Sequence, residues 1–218
     1  LVFPYFGVRG TVREIKKLCT EIIGTSAIGY LATILGNEPL NITTRNFSPS
    51  SIFKKPVQYR GNNTLIGIID TGIDYTHPAF KDANGQTRII SIWDQTIGEQ
   101  SPYGYGTIYD KETINQALKS SDPFSIVPHT DEWGIGTALT GIAAGYSRSS
   151  ECTYEGVAPE AEIAVVKLKP ANHAMQEIYY SKYNPLGFSA LDVALALQYL
   201  VDLATRLHRP ISICLPLG

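Results

Sequence analysis

Asp70 is the first residue whose type and setting point to chemistry. It closes the apolar run Leu65-Ile66-Gly67-Ile68-Ile69, and the small-residue turn Thr71-Gly72 follows at once. An apolar run bounded by turn residues reads as a strand buried on both faces, the kind found in parallel sheets. The C-terminal ends of such strands are where open α/β sheets place their ligands and reactive groups. Taken alone, one aspartate after one strand is better explained as a turn cap.

The histidines supply candidate proton acceptors. His129 stands in a loop near Asp131 and Glu132 and is expected at a solvated surface rather than as a base. His77, in Tyr75-Thr76-His77-Pro78, reads as a turn histidine, His173 as part of a polar loop, and His208 as a cation at a helix end. Asp74 reads as a hydrogen-bonding turn group. Asp94, Asp110, Asp131 and Glu132 raise the question of a calcium site, but no stretch has the alternate-position Asp/Asn pattern of one. No metal and no cofactor are expected. Tyr103, Tyr105 and Tyr109 read either as a contact surface or as a loop packing its own aromatics.

The elements that must position these groups alternate. Strands are expected over 65–69, 88–93, 161–168 and 211–215, and helices over 111–118, 136–145 and 190–207. Gly24 ends a helical spacing that begins near Thr11, Pro210 stops the last helix, and 94–110 reads as an insertion. Strands alternating with helices predict an α/β fold, a doubly wound, mostly parallel sheet flanked by helices. The bulk numbers agree with a globular domain: 218 residues, 44% hydrophobic, 17% charged, formal net charge −2. That charge leaves no basic footprint for nucleic acid, and no apolar run approaches the length of a membrane span. Cys19, Cys152 and Cys214 are too few and too scattered for a disulfide framework or a zinc site. The chain starts at Leu1 and stops at Gly218, directly after an apolar run, and is expected to be a fragment.

Four stretches then stand in a telling order. Asp70-Thr71-Gly72 follows a buried strand. Gly134-Ile135-Gly136-Thr137-Ala138-Leu139-Thr140-Gly141-Ile142-Ala143-Ala144-Gly145 opens a helix of small residues. Gly156-Val157-Ala158-Pro159-Glu160-Ala161 precedes a core strand, and a helix-then-strand unit fills 190–218. Over roughly residues 60–218 the chain resembles the subtilisin-like serine proteases. The stretches 92–97, 104–109 and 114–118 are similar to the clostridial Csp-type branch, which includes spore-germination proteases and pseudoproteases. That narrower likeness implies a spore-associated location.

The resemblance implies a subtilisin-like fold truncated at its C-terminus, with 46–218 as the N-terminal part of the peptidase domain. Residues 1–45 are expected to be a propeptide remnant or an upstream linker. Asp70 takes the triad aspartate position. The second motif normally reads Gly-His-Gly-Thr-His-Val-Ala-Gly, its first histidine the general base; here that position is Ile135, and the second histidine is Ala138. The nucleophilic serine and the oxyanion-hole asparagine fall beyond Gly218. An isoleucine has no lone pair and no exchangeable proton. Losing one triad member typically lowers catalysis by a factor on the order of 10⁴ to 10⁶.

The expected function is therefore a serine endopeptidase domain that has lost catalysis and works by binding. An active endopeptidase with an unconventional base is the alternative. A nucleotide-binding α/β domain is a distant third, since no Gly-x-Gly-x-x-Gly turn follows the first strand. Partners implied are a peptide or protein, and a propeptide contact. In the family an extended peptide adds beside the segment that is here Leu215, Pro216, Leu217 and Gly218. Proline offers no backbone N–H, so Pro216 is expected to weaken or re-register such docking.

Overall fold

A computed structural model describes residues 59–148, 153–178 and 184–217, together with 11, 13, 14, 17 and 34–36. In chain order the strands are β1 (Ile34–Gly36), β2 (Leu65–Asp70), β3 (Ile89–Asp94), β4 (Thr107–Asp110), β5 (Tyr146–Arg148), β6 (Thr153–Glu155), β7 (Glu162–Lys167), β8 (Gly187–Ser189) and β9 (Ile211–Cys214). The helices are α1 (Lys111–Lys119), α2 (Ile135–Ala144), α3 (His173–Ile178) and α4 (Ala190–Arg206). Residues 13, 14 and 17 are helical. The rest of the helix expected from Thr11 to Gly24, most of the 1–45 segment and Gly218 lie outside the described residues.

The main sheet has the order β4-β3-β7-β2-β9. β3, β7, β2 and β9 run parallel, and β4 runs antiparallel to β3 at one edge. Side chains alternate between faces along each strand. Ile68, Ile92, Ile163 and Val165 enter a core with Ile114 and Ala117 of α1 and Ala144 of α2. Ile69, Trp93, Ala164 and Val166 enter a second core with Val193, Ala196 and Leu200 of α4. Helices thus cover both faces, and the sheet is mostly parallel, as the element pattern predicts. Each fully buried Ile or Val contributes about 1.5–3 kcal/mol. Gly67 lets α4 sit close on β2: a Cβ there would lie 2.8 Å from Leu200 Cδ1.

Four short pieces escaped the pattern. β4 lies inside the expected insertion. The β5–β6 hairpin and the antiparallel pairing of β1 with β8 stand where the sequence shows no strand, and α3 stands where His173 suggests a polar loop. Runs of three to six residues are too short to show a period, and β1 and β8 pair across most of the chain. Arg88 fixes the far end of α2. Its guanidinium donates to the carbonyl oxygens of Ala144, Ala79, Pro159 and Ala161 at 2.5–2.9 Å.

Candidate active site

The site grows from the C-terminal end of β2. Asp70 is fully buried, and its Oδ1 accepts from the Thr71 N–H at 2.7 Å. The chain then turns sharply at Gly72, whose φ is +125°. A Cβ at Gly72 would meet the Thr130 carbonyl oxygen at 2.6 Å and His129 Cε1 at 3.3 Å, so glycine is required twice over. The first turn of α2 seats on this bend. A Cβ at Gly136 would run into the Gly72 carbonyl oxygen, and the Gly136 N–H donates to Thr71 Oγ1 at 3.2 Å. The Asp70 turn and position 135 are therefore brought together.

Ile135 is 2% exposed and belongs to the same apolar cluster as Ile69, Leu168 and Phe188. The start of α2 needs acceptors for its free N–H groups. Thr71 supplies one, for the Gly136 N–H, and Asp131 another. Its Oδ1 accepts from Gly134 N at 3.0 Å, and its Oδ2 from Thr137 N at 2.8 Å and Thr137 Oγ1 at 2.6 Å. Thr71 Oγ1 donates to the same carboxylate at 2.7 Å. Asp74 is a turn group, as expected: its Oδ1 accepts from Thr76 N and Oγ1, and its own N–H donates to Thr137 Oγ1 at 2.8 Å.

The expectation for His129 fails. It lies in a loop, but it is 0% exposed. Nδ1 lies 2.6 Å from Asp94 Oδ2, and Nε2 accepts from the Ile73 N–H at 3.1 Å. A ring nitrogen that accepts carries no proton, so Nδ1 holds the hydrogen and donates it to Asp94. With both nitrogens engaged, His129 has no lone pair to offer a substrate. Asp94 is equally buried. Burial alone would raise its carboxyl; the hydrogen bonds from His129 and from Thr96 outweigh this and hold it below the usual carboxylate range.

The remaining candidates go separate ways. His77 caps a short 3-10 turn, its Nδ1 accepting from Ala79 N at 3.1 Å. His173 opens α3 instead of lying in a loop, exposed beside Glu177 at 3.3 Å. His208 follows α4 at φ +51° and is exposed. Asp110 caps α1 through Thr113 N at 2.8 Å. Glu132 lies 3.6 Å from the Lys167 ammonium, which donates to the Thr130 carbonyl at 2.8 Å. Among the described residues no group of three or more His, Cys, Asp or Glu is gathered to hold a metal ion, and no helix is long and apolar enough to cross a membrane. The tyrosines pack inward. Tyr103 stacks on Trp93 at 4.5 Å, Tyr105 donates to Asp192 Oδ1 at 2.8 Å, and Tyr109 is buried.

A cleft of about 110 Å³ opens beside the turn, lined in part by Thr71, Glu132, Trp133, Lys167, Leu168 and Phe188. β8, which carries Phe188, borders it and pairs with β1. Leu215, Pro216 and Leu217 follow β9, which ends at Cys214. They leave the strand near the Asp70 end of β2: Cys214 is opposite Ile68, and burial and the Asp70 charge both push its thiol up. Leu217 joins the cluster that contains Ile135.

The subtilase family model matches residues 61–192. The chain belongs to the subtilase family. A solved structure, the CspB protease of Clostridium perfringens, is similar at 37% identity with a TM-score of 0.58. The match covers 71% of this chain and 29% of CspB. This subtilase segment therefore has a Csp-type relative, carries the family's mostly parallel sheet, and spans less than a third of that relative.

Proposed function

We propose that residues 46–218 are the N-terminal part of a subtilase peptidase domain in which Asp70 holds the triad aspartate position and Ile135 the general-base position, so that the domain is catalytically degenerate and acts by binding a peptide or protein. The observation that carries this reading is the setting of Ile135. An apolar side chain, 2% exposed in an apolar cluster, sits at the helix start seated on the Asp70 turn. His129 gives the active alternative no substitute base, because both of its nitrogens are engaged. The family's activity supports a peptide as ligand, docked along Leu215, Pro216, Leu217 and Gly218, with Pro216 weakening the strand pairing. A co-crystal with a peptide paired normally along that segment would refute the last point.

Residues 1–45 are proposed to be a propeptide segment; the pairing of Ile34–Gly36 with Gly187–Ser189 at the cleft supports such a contact. The Csp-type likeness extends the proposal to a spore-associated setting. A second reading, an active peptidase, has one observation in its favour: the similar solved structure is called a protease. Treating the full-length protein with a fluorophosphonate probe, before and after Ile135→His, separates the two. No labelling before is expected, and labelling only after the change would show an otherwise intact site. Labelling of the unmodified protein would sink the degenerate reading.

A further inference from the structure

We propose that Asp131 is the positioning residue of this site, setting the separation between the Asp70 turn and position 135. The inference rests on the reading that these two hold triad positions. The Asp131 carboxylate bonds to both bodies at once. It takes Thr71 Oγ1 from the turn, at 2.7 Å, and Gly134 N and the Thr137 N–H and hydroxyl from the start of α2, at 2.6–3.0 Å. Thr71 is the neighbour of Asp70, and Gly134 and Thr137 flank Ile135 on either side. Thr71 Oγ1 then accepts from Gly136 N at 3.2 Å, which closes a ring of hydrogen bonds around position 135.

The ring is built of strong parts. Bonds to an ionised carboxylate are shorter and roughly twice as strong as neutral ones. A negative group at a helix start is further favoured by the helix dipole. None of these bonds uses the side chain at 135. The spacing is therefore kept by groups that a change from histidine to isoleucine leaves untouched, and an imidazole returned to 135 meets a frame already set for it.

The test measures the titration of that imidazole by NMR in full-length protein carrying Ile135→His. Its pKa is expected to fall by about one unit when Asp70→Asn is added, because a nearby carboxylate favours the charged ring while burial acts on both variants alike. With Asp131→Ala in the background that difference is expected to vanish, while the His129 signal and a cooperative unfolding transition are retained. Asp131→Asn, which keeps one acceptor oxygen, is expected to fall between. No difference on adding Asp70→Asn to Ile135→His would show that the two positions are not partners and would overturn the functional reading. A difference left unmoved by Asp131→Ala would overturn the positioning role alone. Should either variant not fold, amide exchange in Asp131→Asn alone decides. About tenfold faster exchange at Gly136 and Thr137, with Val165 unchanged, is expected; unchanged protection at all three refutes the role.

Discussion

Asp70 and Asp94 end two parallel strands on either side of Lys167 in β7, each in register with it, and both are fully buried. Asp94 keeps an imidazole: His129 donates to it from Nδ1 and accepts the Ile73 N–H at Nε2. Asp70 has an isoleucine brought to its turn instead. The pair that looks catalytic by composition is thus a structural tie between β3, the 127–131 loop and the Asp70 turn. The position that resembles a catalytic one by motif is apolar. A histidine beside a carboxylate becomes a base when its second nitrogen is free and reachable. His129 meets neither condition.

The largest effect is expected at the tie between His129 and Asp94. His129→Ala removes the donor to a buried carboxylate and the acceptor of a buried N–H together. A loss of about 3 kcal/mol in urea unfolding is expected. A loss near zero would mean that the tie is not made in solution. Ile135→His comes next, at about 2 kcal/mol, since it takes an apolar side chain out of a packed cluster and buries a polar ring.

A smaller effect depends on pH. The folded-state pKa of Asp94 is depressed, so its stabilising contribution is present above the unfolded value near 4 and is lost as pH falls through the lower folded value. Thr96→Val removes a hydroxyl that donates to Asp94 at 2.5 Å. Stability at neutral pH should fall by about 1 kcal/mol, and the difference should vanish in acid, where Asp94 is protonated in both states. A difference that persists in acid would assign the effect to packing. The smallest change is expected from Asp70→Asn, within about 1 kcal/mol, because an amide oxygen still accepts from Thr71 N. A cost as large as that of His129→Ala would erase the contrast between the two carboxylates.

Much of the fold was legible. Leu65–Asp70, Glu162–Lys167 and Ala190–Arg206 carry long apolar patterns, and their observed bounds differ from the expected ones by a residue or so. β1, β4, β8 and the β5–β6 hairpin left no such signal, because strands of three or four residues take their identity from a partner. Asp131 was visible only as one carboxylate among four; its small-residue surroundings, Gly134-Ile135-Gly136-Thr137, were a helix-start signal that could have marked it as a cap. His129 offered less, since a loop histidine between polar residues looks solvated.

The sequence by itself determined the family, the order of the long core strands and of the helices between them, and the isoleucine at position 135. These follow from local periodicity and from motifs, both of which lie along the chain. Only the tertiary structure decided what His129 and Asp131 do. Their partners stand 35 and 56 positions away for His129 and 60 for the turn contact of Asp131. Hydrogen-bond roles of that kind are set by which groups the folded core brings within 3 Å and closes off from water, and no local pattern encodes them.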